Sequence, residues 1–205
     1  MVNIAKANKI EVLKLLLEDE RIDVSYDLND FGVTPLMQTY YENDDDYEFL
    51  EVFANHPRVD LTAVDRDKGQ TALHKSAHCK DPYRTEILLK AAIKRGIDVN
   101  QREYSGLTMV HLAFDFDRYY FTVTHPYTIE KFSPTIDVIF KHREEAGIDL
   151  EATDNSGRTP LHYLCSSRCE EYVRHFIDTA KEEYGLQFNL DAKDNDGRTP
   201  FQCFE

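Results

Sequence analysis

"ATDNSGRTPLHYL", residues 152–164, returns forty residues later as "AKDNDGRTPF", residues 192–201. A chain that writes one phrase twice builds the same piece twice, so further copies decide the architecture before composition does. Gly-x-Thr occurs five times: Gly32-Val33-Thr34, Gly69-Gln70-Thr71, Gly106-Leu107-Thr108, Gly157-Arg158-Thr159 and Gly197-Arg198-Thr199. The glycines are 37, 37, 51 and 40 residues apart. A second phrase travels with the first: Ile22-Asp23-Val24, Val59-Asp60-Leu61, Ile97-Asp98-Val99, Ile148-Asp149-Leu150 and, more loosely, Phe188-Asn189-Leu190. From its middle residue to the next glycine the distance is 9, 9, 8, 8 and 8, so one part of the unit is nearly fixed and the variation lies elsewhere.

Between these phrases the chain signals two helices per unit. Thr71 suits a helix N-cap, and in three other units a proline (Pro35, Pro160, Pro200) follows the threonine as a first helical residue. This predicts a short helix over about 72–79. Asp81-Pro82 opens a second helix, with Ile87, Leu88, Ala91 and Ala92 on one face and Gly96 in the left-handed position that ends it. Ser133-Pro134 opens the corresponding helix of the fourth unit, and Ser167-Arg168-Cys169-Glu170 is a capping box for the fifth. Gly147 and Gly185 close those two helices. The first two units lack this glycine, and Asn55 is the expected substitute in "NHPRVD". One helix pair cannot bury its apolar face alone, whereas stacked pairs bury it together. Leu36, Leu73, Val110, Leu161 and Phe201 are then equivalent fillers of one continuous core.

"GRTPLHYL", "GQTALHKSA" and the "GIDVN" at 96–100 resemble the ankyrin repeat, a unit of turn, helix, turn, helix. The resemblance runs the length of the chain and implies an all-α solenoid of stacked helix pairs with β-hairpin-like tips. The expected division is one domain, 1–205: a partial unit 1–31, units 32–68, 69–105, 106–156 and 157–196, and a fragment 197–205. The array stops nine residues into a unit, so a continuation of the parent chain is expected.

The formal charge of −14 disfavours nucleic acid and anionic membrane surfaces as partners and leaves a basic partner open. No apolar run approaches the roughly 20 residues of a membrane helix. Lys14 and Glu11 interrupt the apolar start, which argues against a signal peptide. Four cysteines without disulfide-scaffold spacing favour a reducing compartment, cytoplasmic with the nucleus also open.

No residue set reads as catalytic. His74, His111 and His162 share one position of the repeat, and the resemblance implies a structural role for it, bonding to backbone near the unit junction. Metal and cofactor sites are not expected: no C-x-x-C pair exists, and "NDDDYE" at 43–48 lacks the glycine and spacing of a calcium loop. Asp45 and Glu48 are better read there as a helix cap.

The expected function is therefore a non-enzymatic binding module that is monomeric alone and holds another protein through its hairpin tips and concave face. Two alternatives stand beside it: a targeting or scaffold region of a larger enzyme, channel or effector, and an inhibitor that mimics a host regulator by binding a basic segment. The resemblance places partner contacts beside each repeat glycine: Asp30, Phe31 and Val33; Asp67, Lys68 and Gln70; Tyr104, Ser105 and Leu107; Asn155, Ser156 and Arg158; Asp196 and Arg198. At the ends of the first helices it places Tyr41, Glu42, His78, Cys79, Asp115 and Ser166. It also assigns a structural acid to the position held by Arg66, Glu103, Asp154 and Asp194, where the first two depart from aspartate and predict tips of different shape. Between the helices of the fourth unit lies an insertion, 116–132, in which six of 17 residues are aromatic. Its Tyr119, Tyr120 and Phe121 are candidates for a partner patch, the alternative being that the rings pack back on the solenoid.

Overall fold

The computed structural model describes residues 2–39, 47–115, 133–166 and 170–204. Among these residues there are nine α-helices, a closing 3₁₀ turn and no strand. Helix α1 spans Val2–Glu18. Four pairs follow, each a short helix and then a longer one: α2 (Pro35–Gln38) with α3 (Tyr47–Asn55), α4 (Ala72–His78) with α5 (Pro82–Arg95), α6 (Met109–Phe114) with α7 (Pro134–Ala146), and α8 (Pro160–Cys165) with α9 (Glu170–Tyr184). Pro200–Cys203 forms the 3₁₀ turn.

Two layers result. In one, α2 packs on α4, α4 on α6, α6 on α8 and α8 on the 3₁₀ turn; in the other, α1 packs on α3, α3 on α5 and α5 on α7. The core runs unbroken between them, from Leu13 and Leu17 through Leu36, Leu89 and Val110 to Leu161 and Phe176. The step from α7 to α9 is made through rings. Phe176 lies 5.9 Å from Phe140 and 5.3 Å from Phe114, and the Tyr184 hydroxyl donates to Asp137.

Each short helix starts behind its threonine, which is extended, as an N-cap is. In three units the histidine three residues on completes a capping box, its ring accepting from the threonine N–H. Gly96, Gly147 and Gly185 all take the left-handed conformation at helix ends, at φ 63°, 63° and 64°. Asn55 does not replace them, since Lys80 is the one described non-glycine with positive φ. The Asn55 side chain instead donates to the Glu51 carbonyl.

The missing glycines are offset by arginines of the following unit. Arg58 donates to the carbonyls of Leu17, Asp19 and Ile22, closing the end of α1. Arg95 reaches Ala54 and Pro57 at the end of α3, at 3.4 and 3.5 Å. A cation at a helix C-terminus satisfies orphan carbonyls and opposes the negative end of the dipole. Ser133 opens α7 through its carbonyl, which accepts from the Ile136 and Asp137 amides; its buried hydroxyl caps nothing. The capping box at 167–170 and the Asp45 cap involve residues outside those described.

Candidate protein-binding surface

Five tips project in a row beside the short helices. A backbone hydrogen bond closes the base of each: Leu28 to Val33, Asp65 to Gln70, Glu103 to Leu107, Asp154 to Arg158 and Asp194 to Arg198, donor first. Inside each tip one side-chain oxygen gathers the amides. Asn29 accepts from Phe31 and Val33, Glu103 from Ser105 and Leu107, Asp154 from Ser156 and Arg158, and Asp194 from Asp196 and Arg198. Asp65 does this for Lys68, Gly69 and Gln70. The structural acid of the second tip is thus Asp65, one residue before Arg66, because this tip carries one more residue before its glycine. Glu103 fills the role from the ordinary position, and its tip closes from Glu103 to Leu107 with the same spacing as the two tips after it.

The tips are also stitched to one another. The amides of Arg66, Tyr104, Asn155 and Asn195 donate to the carbonyls of Phe31, Lys68, Ser105 and Ser156. At the last two junctions the Asn155 and Asn195 side chains add a second bond, to Tyr104 and Asn155 carbonyls. Below the tips, His74, His111 and His162 tie unit to unit. Each ring accepts at Nδ1 from its threonine amide, which leaves the proton on Nε2. That Nε2 donates to the carbonyl of Leu107, Arg158 or Arg198 in the next tip, at 3.2, 3.0 and 3.2 Å. Burial pushes all three imidazoles below their ordinary pKa of 6.5 and keeps them neutral.

This geometry sorts the predicted contact residues. Phe31, Lys68, Tyr104, Asn155 and Asp196, with Asp30, Asp67, Ser105 and Ser156, stand exposed on the tips. His78, Cys79 and Ser166 are exposed at the ends of short helices, and Asp115 is half-buried. Val33 and Gln70 are 6% and 7% exposed and have no side chain to offer a partner. The residue after each repeat glycine is the one whose carbonyl closes the tip, and that duty turns its side chain inward. Leu107, Arg158 and Arg198 share the position and are half-buried, and both guanidinium groups face Asp194, at 3.7 and 3.1 Å. Tyr41, Glu42, Tyr119, Tyr120 and Phe121 lie outside the described residues.

Two features have no signal in the sequence. The Lys80 ammonium, at positive φ between α4 and α5, donates to the carbonyls of Leu112, Ala113 and Asp115 at 2.6, 2.7 and 2.9 Å. It caps α6 from the preceding unit, and burial lowers its pKa to about 8. Second, an open depression lies between the first two tips, lined by Asn29, Phe31, Val33, Gln38, Asp65, Asp67 and Lys75. At its floor Lys75 and Asp65 pair at 2.5 Å.

No group of three or more His, Cys, Asp or Glu among the described residues is placed to hold a metal ion. None of the described helices is long and apolar enough to cross a membrane. The charge of −14 is not concentrated here: the five tips and four short helices hold seven acids against five bases.

No known family profile matches the sequence, and no curated protein does. Among solved structures the chain is similar to the ankyrin repeat domain of Bcl-3, described as a unique member of the IkappaB protein family. The identity is 22%, the TM-score 0.67, and the match covers 93% of this chain and 70% of that one. The fold is that of an ankyrin-repeat solenoid.

Proposed function

We propose that this chain is a non-enzymatic module that holds a partner protein along the row of tips and the adjoining face of the short helices. The observation that carries the reading is the stitched row itself. Backbone bonds between successive tips fix their spacing, while the residues just before each glycine, Phe31 and Tyr104 foremost, are 63% and 62% exposed. Aromatic side chains on a pre-organised scaffold are the usual anchors of interfaces, because little freedom remains to be lost on binding. The ankyrin-repeat fold supports the same reading. Proximity of a partner would be the module's whole output, with no bond made or broken on it.

The test places a photo-crosslinking residue at Tyr104 or Asn155 and, as a control, at Lys94 on α5. A partner that crosslinks from both tip positions and not from α5 is the expected result. Crosslinks from α5 alone would move the interface to the opposite layer and end the proposal.

A further inference from the structure

We infer that the depression between the first two tips is a seat for an arginine side chain of the partner, an inference that rests on the tip surface being the binding face. Three groups converge there whose side chains have no hydrogen-bond, ion-pair or ring partner among the described residues. The Phe31 ring is 63% exposed, the Asp67 carboxylate is exposed, and the Gln38 side-chain amide is half-buried. The neighbouring charges are already matched: Asp65 is paired with Lys75, and Arg66 with Asp27. What remains is one aromatic face, one negative charge and one amide oxygen.

A planar cation with several donors fits that set. A guanidinium stacks on an aromatic face, pairs with a carboxylate through two parallel N–H groups and has further donors for an amide oxygen. The chain makes the same contact internally, with Arg174 over the Phe201 ring at 5.2 Å and Arg84 over Tyr47 at 5.7 Å. An ammonium would use the charge alone. An uncharged side chain of the same shape would lose both the pair and the cation–π attraction. The basic-partner idea thus narrows from the whole acidic molecule to one depression.

The test uses the whole chain and three probes, the N-acetyl methylamides of arginine, lysine and citrulline. Each is titrated while the Phe31 ring and Gln38 side-chain amide are followed by NMR. Arginine should shift both saturably, lysine should bind more weakly, and citrulline should do nothing. Asp67→Asn should weaken arginine about threefold or more, the order of one exposed charge pair. Phe31→Ala should weaken it similarly, with Phe31→Leu as a second variant that keeps apolar cover, and circular dichroism should show each variant folded. Shifts that fail to saturate, that spread evenly over exposed carboxylates, or that survive Asp67→Asn unchanged would overturn the inference. If a partner crosslinks at Tyr104 while arginine leaves Phe31 unmoved, the seat is wrong and the tip surface stands. If arginine binds as described but no partner crosslinks at the tips, the seat is real and the wider surface is not.

Discussion

Gly157 and Gly197 hold nearly the same backbone, φ +75° and +79°, yet their surroundings differ. A Cβ on Gly157 would lie 2.6 Å from the Asn195 side-chain oxygen and 3.0 Å from its backbone nitrogen, and that N–H and the same side chain's Nδ2 make the bonds that stitch the last two tips. On Gly197 it would meet nothing within 4 Å. Gly197→Ala should therefore cost only the left-handed strain, about 1–2 kcal/mol. Gly157→Ala should cost about 2–4 kcal/mol, adding one or two lost hydrogen bonds. Equal urea midpoints for the two variants would mean that the stitching contributes nothing. The three junction histidines give a second prediction at this scale. Their folded pKa values lie below 6.5, so the unfolded chain takes up protons more readily as pH falls. Their contribution is fully present above pH 6.5 and is lost as pH drops through and below that value. Stability measured from pH 7.5 to 5 should fall, and the triple change to Gln at His74, His111 and His162 should flatten that slope. Glutamine keeps the cap, since Gln202 already accepts from the Thr199 amide at 2.9 Å. An unchanged slope would place the titration elsewhere.

Among the helices, the ends are finished by whatever the sequence supplies nearby. Where glycine follows, as after α5 and α7, the helix closes on itself through the left-handed turn. Where it does not, a neighbour's cation closes it. Arg58→Ala should cost about 1.5–3 kcal/mol, because three carbonyls at the end of α1 lose a charged donor. Hydrogen exchange should localise the loss to the last turn of α1. Arg95→Ala is the comparison: its two contacts are long, and its cost should stay below about 1 kcal/mol. If both variants cost the same, distance and number of acceptors do not set the effect. The helix starts were legible in the sequence because an N-cap is local, a threonine and the three residues after it. These C-terminal caps were not, because Arg58 lies 36 residues or more from the carbonyls it serves.

For the whole molecule, charge is the dominant long-range property. With −14 spread over helices and loops, the folded state repels itself more than the expanded chain does. Raising salt from about 0.05 to 0.3 M shortens the Debye length toward the size of a single side chain and should relieve this. We expect a gain on the order of 1 kcal/mol, about 2–4 °C in midpoint for a chain of this size. A midpoint that falls would give the weight to the surface ion pairs instead. The repeated phrases determined the fold by themselves, since a glycine that must turn left-handed, a threonine that must cap and a histidine that must reach the next unit are demands set within a few residues. The same phrases located the tips and their exposed side chains. They misplaced the acid of the second tip by one residue, because "DRDKG" offers two aspartates and spacing alone does not say which will gather the amides. They also put Val33 and Gln70 on the outside. Only the stacked structure decided these points, because a tip's side chains are sorted by which backbone groups its neighbour engages. The same holds for the depression beside Phe31: Gln38 and Asp67 stand at the two ends of one unit and Phe31 in the unit before it, and no local rule brings them to one place.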